Sequence, residues 1–339
     1  MGSRSRPRPA AKTAGDIATE LVAEMPDHPA RSLAKILRER CGRAMSIERA
    51  RGMINYRLGK DGKDKRKWAR YPRPDRKPGQ LVEMPKSKAE PWTPYVLEVV
   101  GRVGILSDIH VPYHSDVALA AAVDYLRGQQ LAALVLNGDV ADFYTISRWV
   151  KNPAMRNLKA ELGQVRQLLA WIRQEFPEIP IVYKLGNHEE RWTHWLWQHA
   201  PEICDEPEMG LRAWFHLDEH GIDLVDDQRP VMAGKLPILH GHELPKGLTN
   251  PVNMARGAFL RTLSTILVGH GHRTSGHAES NLWHEEVFCW SQGCLCDMNP
   301  EYARVNRWNW GFATVDIHAA GDFDVENLRI TADGKVRTS

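Results

Sequence analysis

The sequence predicts an α/β sandwich preceded by a small all-α unit. Three observations carry this reading. Short apolar runs alternate with helical patterns between residues 99 and 185, strand signals replace helical ones after residue 273, and a proline-rich stretch separates both from three short helical patterns upstream.

The elements follow in order. Residues 1–13 are rich in Arg, Pro, Ala and Lys, the composition of a disordered basic arm. A basic helical module is expected over 14–70. Ile17, Leu21 and Val22 recur at helical spacing up to Met25. Ser32 is placed to cap a helix through Leu33, Ile36 and Leu37 that ends near Cys41-Gly42. Ser46 is placed to cap a third, with Ile47, Ala50, Met53 and Ile54 on one face. The short glycine-containing turn between the last two patterns allows a helix-turn-helix. Arg49, Arg51 and Arg57 on the third pattern, with Lys63, Lys65, Arg66 and Lys67 beyond it, are candidate nucleic-acid contacts; the alternative is the solvated face of a docking module. Residues 71–92 hold Pro72, Pro74, Pro78, Pro85 and Pro91 among charges, a linker composition. The main domain is expected over 93–335.

That domain begins with a β-rich run at 99–106 ending at Ser107-Asp108. An Ala-rich helix is expected over 117–126 and a short strand over 133–136, ending at Asn137-Gly138-Asp139. Leu158, Leu162, Val165, Leu168, Leu169 and Ile172 mark an amphipathic helix over 155–175. A strand over 179–185 ends at Gly186-Asn187-His188. The runs 236–239 and 265–268 lead into His240 and Gly269-His270, and further strands are expected at 287–290 and 312–317. Such a pattern delivers loop residues at the carboxyl ends of strands, where sites of α/β folds lie.

Charge narrows the partners. The formal net charge is +3, but residues 1–90 carry 23 Lys and Arg against 11 Asp and Glu, a net of +12, and the remaining 249 residues carry a net of −9. A basic region beside an acidic body points to an anionic partner, nucleic acid above all, with a solvated basic arm as the plainer alternative. Five cysteines are too few and too odd in number for a disulfide scaffold. The late cluster Cys289, Cys294 and Cys296 lacks the Cys-x-x-Cys pairs of a zinc site, so reduced thiols in an intracellular protein are expected. No apolar stretch reaches the ~18–20 residues of a membrane span. The start Met-Gly-Ser-Arg-Ser-Arg has no apolar segment of a secretory signal, so a cytoplasmic location without membrane partners is expected.

The chemistry lies in five clusters: Asp108-Ile-His110, Gly138-Asp139-Val-Ala-Asp142, Gly186-Asn187-His188-Glu189, His240-Gly-His242 and Gly269-His270-Gly-His272. Carboxylate, amide and imidazole ligands from successive strand ends can hold two metal ions side by side, an arrangement that suits phosphate-ester hydrolysis. A carboxylate can serve two cations at once, and neutral imidazoles suit manganese, iron or zinc better than magnesium.

In their order and spacing the five clusters resemble the calcineurin-like metallophosphoesterase superfamily over roughly residues 100–275. The resemblance implies that superfamily's α-β-β-α sandwich and two divalent metal ions, manganese ahead of iron or zinc. It implies Asp108, His110 and His272 as ligands of one ion and Asn187, His240 and His270 of the other. Asp139 is implied as the bridge between them, and a metal-bridging hydroxide as nucleophile. His188 would protonate the leaving group, with Asp142 orienting it. Arg191, one turn on, is a candidate contact for substrate phosphate, with a surface ion pair as the alternative. Glu189 is expected to support the site rather than react. His114, His194, His199, His242 and His277 are expected to be ordinary surface or core histidines. Trp149, Trp192 and Trp195 are expected to pack beside the metal-bearing loops, and Trp308 and Trp310 to pack at the core or rim, with stacking on nucleic-acid bases as the alternative.

Phe143-Tyr144 stands where the serine/threonine phosphatases of this superfamily carry Arg-Gly, and Ser107 precedes Asp108 where they carry Gly. The chain therefore looks nearer the bacterial or phage phosphodiesterase and repair-exonuclease branches. The expected function is a two-metal phosphodiesterase or nuclease acting on nucleic acid. The alternatives are a phosphatase or phosphodiesterase for small nucleotides or phosphoproteins, and a nucleic-acid-binding protein with a vestigial metal site.

Overall fold

The computed structural model describes residues 12–42, 45–59, 84–245, 252–280 and 282–338. The chain divides into two compact units, Met1–Lys88 and Ala89–Ser339. In the first, helices α1 (Ala14–Glu24), α2 (Ala30–Arg40) and α3 (Ile47–Arg57) close over Leu21, Leu33, Leu37, Ala50 and Ile54. Caps set two of the starts. Thr13 accepts from the N–H of Asp16, whose carboxylate accepts from the N–H of Thr13, a reciprocal capping box. Ser46 accepts from Arg49 N–H and caps α3 as expected. Ser32 does not cap α2: the helix starts three residues earlier, at Ala30 after Pro29, with no side-chain cap. That extra turn packs Ala30 against the three-helix core, a gain that a cap at Ser32 would forgo.

Arg49, Arg51 and Arg57 are exposed. Lys63, Lys65, Arg66 and Lys67 lie outside the described residues, as do residues 1–11 of the expected basic arm and 71–83 of the expected linker.

The second unit is a sandwich of two sheets. One runs, in spatial order, β13 (Val336–Thr338), β12 (Phe323–Ile330), β11 (Gly311–Ile317), β2 (Gly101–Leu106), β3 (Leu131–Asn137), β4 (Ile181–Lys184) and β5 (Ile222–Val225). The other runs β1 (Tyr95–Leu97), β6 (Val231–Ala233), β7 (Leu236–Leu239), β8 (Ile266–Val268), β10 (Glu286–Ser291) and β9 (Ser275–Ser280). Strands β2 to β5 are mutually parallel, as are β7, β8 and β10. Helices α4 (Asp116–Arg127), α5 (Leu158–Glu175) and α6 (Asn187–His199) cover the first sheet, and the short α7 (Leu211–Trp214) packs with them. Helix α8 (Met254–Thr262) covers the second. The result is the expected α-β-β-α sandwich.

The continuous apolar runs follow from burial on both faces of the central strands. On β3, Leu134 and Leu136 face the helices, whereas Ala133 and Val135 face the other sheet. On β4, Ile181 and Tyr183 face the helices and Val182 faces inward. Facing them across the sandwich are Val231, Ile238 and Leu267. Helix α5 begins at Leu158, not at residue 155, because Asn157 caps it by accepting from Ala160 N–H and Pro153–Met155 forms a separate 3₁₀ turn. Among the described residues no helix is long and apolar enough to cross a membrane.

Candidate metal centre

The carboxyl ends of β2, β3, β4, β7 and β8 bring the five clusters together. The loops after β2 and β3 are zipped by backbone bonds: Asp108 N–H to Gly138 O at 3.1 Å, and His110 N–H to Asp139 O at 2.9 Å. Asp108, His110, Asp139, His270 and His272 all have positive φ, between 52° and 60°. Non-glycine residues rarely hold that conformation, and where they do it clusters at functional sites. Gly138, at φ +82°, is needed for close approach, since a Cβ there would lie 2.5 Å from Nδ1 of His240.

The ligand-type atoms converge. Asp108 Oδ1 lies 2.9 Å from Nε2 of His272, and the Nε2 atoms of His272 and His110 are 3.2 Å apart. Asp139 Oδ2 lies 3.2 Å from Nε2 of His240 and 3.8 Å from that of His110. Four groups of mutually close donor atoms result among the described residues: Asp108–His110–Asp139 and Asp139–His240–His270, which share Asp139, and His110–His272–Cys296 and His110–Asp142–His188 beside them. Asn187 opens α6 beside them. Buried Asn187 Oδ1 has no hydrogen-bond partner, and Asp108 Oδ1 and His240 Nε2, though 2.9 Å from His272 and 3.2 Å from Asp139, make no contact of hydrogen-bond geometry. Buried polar atoms are seldom left so, and anionic, amide and imidazole donors turned on one another form a ligand set for cations. Burial opposes charge on His240, but the carboxylates of Asp139 and Asp108 outweigh it and raise its imidazole to about 10.

Asp142 faces two histidines. Its Oδ1 lies 3.0 Å from Nδ1 of His110 and 3.2 Å from Nδ1 of His188. Burial opposes its ionisation, yet these two rings hold its carboxyl well below the usual range. Arg191 is not in a surface ion pair. It donates to the carbonyl of Asp142 at 2.8 Å and lies 2.7 Å from Nε2 of His188.

Three supporting residues carried weak sequence signals. Glu189 is fully buried and accepts from the N–H groups of Asp139, Val140, Ala141 and Gly186 and from the hydroxyl of Tyr183, at 2.8–3.0 Å. Its signal was the Gly186-x-x-Glu189 spacing of a helix start. Lys184, at the end of β4, lies 2.7 Å from Glu243, both nearly inaccessible. Glu243 also accepts from His240 N–H at 3.2 Å and Gly241 N–H at 2.6 Å, so the pair pins the backbone of His240. Burial opposes the charge on Glu243, but the Lys184 ammonium prevails and lowers its carboxyl to about 2. A lysine closing an otherwise apolar strand was the clue.

The other histidines and tryptophans divide by surroundings. His242 pairs with Glu190 at 3.0 Å. Trp192 is buried against Trp195 and Trp214 and donates to Met209 O, as its expected packing role requires. Trp308 packs on the His272 ring at 4.2 Å. Trp149 departs from expectation: it is 65% exposed, because its loop carries it out to the rim of a cleft.

The family model for calcineurin-like phosphoesterase matches residues 101–313. The Gene 54 protein of Mycobacterium phage L5 is 25% identical over 256 residues, 69% of this chain and 98% of that protein. Its counterpart in Mycobacterium phage D29 is 25% identical over 234 residues, 63% of this chain and 89% of that one. Among solved structures, a Vps29 variant from Entamoeba histolytica aligns with TM-score 0.37 and 14% identity over 70% of this chain and 97% of its own. The nuclease MPE of Pseudomonas putida aligns with TM-score 0.31 and 14% identity over 70% and 87%. The family match spans more than half the chain and all five clusters, so the chain belongs to the calcineurin-like phosphoesterase family and is a metal-dependent phosphoester hydrolase.

Proposed function

We propose that the protein is a two-metal phosphodiesterase or nuclease acting on nucleic acid. The observation that carries the two-metal part is the pair of donor groups sharing Asp139. Asp108, His110 and His272 would hold one ion, Asn187, His240 and His270 the other, and Asp139 both. When bound, two divalent ions, manganese ahead of iron or zinc, would supply positive charge for the phosphate oxygens and acidify the attacking water.

The chain's own groups handle the leaving-group proton. In the arrangement seen, Arg191 donates to Nε2 of His188 while Nδ1–H of that ring donates to the Asp142 carbonyl at 2.7 Å. This is the neutral tautomer. Burial disfavours the charged ring, but the carboxylates of Asp139 and Asp142 outweigh burial and raise its pKa. A substrate phosphate that draws the Arg191 guanidinium toward itself would free Nε2 to carry a proton. That proton would then stand ready for the departing oxygen, with Asp142 positioning the ring. Nucleic acid as substrate is supported by the +12 charge over residues 1–90 and by exposed Arg49, Arg51 and Arg57.

The test is a substrate panel on metal-stripped protein resupplied with manganese, iron, zinc or magnesium. Manganese should restore cleavage of DNA or RNA, and Asp139→Asn should lower it at least ~100-fold while leaving oligonucleotide binding intact. Good turnover of bis(4-nitrophenyl) phosphate with no cleavage of any polymer would sink the nucleic-acid part. Full hydrolysis by Asp139→Asn would sink the assignment of the site.

A further inference from the structure

The metal centre opens at Asn187 and His188 into a cleft of about 430 Å³ walled by Arg191, Trp149, Lys151 and Tyr302. Trp149, Lys151, Asn187 and Arg191 also line a second cleft of about 660 Å³, which follows α6 outward to Trp197. The two adjoin at these residues, so together they mark a path from the centre along the helix.

Two large aromatic rings stand on this path. Trp149 is 65% exposed and Trp197 58% exposed. The contrast with Trp192 on the same helix matters. Trp192 is 4% exposed, stacks within a tryptophan cluster and satisfies its indole N–H on Met209 O. Packing therefore accounts for Trp192 and not for the other two. Exposed indoles beside a polar cleft are an unusual use of apolar surface.

Cations border the same path. Arg148 lies over the Trp149 ring with its guanidinium carbon 5.0 Å from the centroid, and Lys151 and Arg191 line both clefts. The carboxylates in the two walls, Glu190 and Asp142, are taken up by His242 and Gln228 and by His110 and His188, and the residues after position 90 carry a net charge of −9, so this concentration of positive charge runs against its background. Flat π faces spaced along a cationic groove suit a strand whose bases are unpaired and whose phosphates recur at each residue. A duplex keeps its base faces stacked internally and offers nothing to either indole.

We propose that this path is a channel for single-stranded nucleic acid. Nucleotides next to the scissile phosphate would lie along α6, with bases stacked on Trp149 and Trp197 and phosphates near Arg148 and Lys151. The proposal rests on the nucleic-acid reading above and sharpens it to single strands.

Full-length, manganese-loaded wild type and Trp149→Ala/Trp197→Ala are compared on three substrates. These are bis(4-nitrophenyl) phosphate, single-stranded DNA and RNA oligonucleotides, and blunt duplexes of the same sequence. Wild type should prefer single strands. The double variant should lose roughly 10- to 100-fold in kcat/KM on single strands, chiefly through KM, as expected for the loss of one or two stacked bases. Its turnover of the small diester should stay within about twofold. Equal cleavage of single strands by both proteins would overturn the channel while leaving the nuclease reading in place. A matching loss on the small diester would also overturn it, because the indoles would then be supporting the centre. If wild type hydrolyses the small diester but no oligonucleotide, the nucleic-acid reading fails and the channel with it.

Discussion

Replacing Glu189 by Gln should destabilise the metal-bearing edge of the sandwich. The carboxylate receives two sets of donors: Oε2 takes the N–H groups of Asp139 and Gly186, and Oε1 takes those of Val140 and Ala141 with the Tyr183 hydroxyl. A glutamine has one oxygen. Its better orientation keeps the three donors on Oε1 and turns an NH₂ toward the N–H groups of Asp139 and Gly186. Two charge-assisted bonds are then lost and two buried donors are left facing a third. At roughly 1.5–3 kcal/mol per bond to a charged group, the cost is about 3–6 kcal/mol, a large part of the ~5–15 kcal/mol that holds a typical domain. The same two N–H groups belong to the peptides that set Asp139 and Asn187, so apparent manganese affinity should fall by roughly 10- to 100-fold. Urea unfolding measures the first effect, and a manganese titration of bis(4-nitrophenyl) phosphate hydrolysis the second. A variant that unfolds within about 0.5 kcal/mol of wild type, far below the bond estimate, would refute this account of Glu189.

Two further outcomes follow from buried charge. Glu161 is buried beneath the Asp142 loop, where it accepts from Phe143 N–H. Burial first, then the Asp142 carboxylate, raises its carboxyl from 4.5 to about 8. The folded state thus holds a proton that the unfolded chain releases. The associated stability is complete below pH 4.5 and is lost as pH rises through 8, by at most about 5 kcal/mol at ~1.36 kcal/mol per unit. Glu161→Gln should therefore gain on wild type as pH rises from 5 to 8.5 in thermal melts, and a constant difference would count against it. Lys184→Met leaves the Glu243 carboxylate buried without its cation and should cost roughly 3–5 kcal/mol in urea unfolding. Lys184→Met/Glu243→Gln should recover part of this, and a double variant less stable than the single one would contradict the pairing.

Much of the fold was legible because the signals are local. The three N-terminal helices, the strand runs at β2, β3, β4, β7 and β8, and helices α4 and α5 each show in a window of a few residues. Strands β1, β5, β6, β9, β12 and β13 and helices α6, α7 and α8 show no such local pattern. Their burial is partial or supplied by distant partners, as on β9, where no residue is fully buried. Ser32 shows the same limit on a small scale, since a good capping residue yielded to packing of the turn before it.

The sequence by itself determined which ligand-type residues lie at strand ends and in what order. Ligand chemistry, glycine placement and spacing are properties of short segments, and five such segments together leave few alternatives. Only the tertiary structure decided how those residues are held. Asp142 serves both His110 and His188, Arg191 turns inward to the Asp142 carbonyl, Glu189 ties the Asp139 loop to α6, and Lys184 reaches Glu243. It also decided that Trp192 is core whereas Trp149 and Trp197 face a cleft. Most of these contacts join residues tens of positions apart. They depend on which strands lie side by side and on which face each side chain leaves, and no local pattern encodes either.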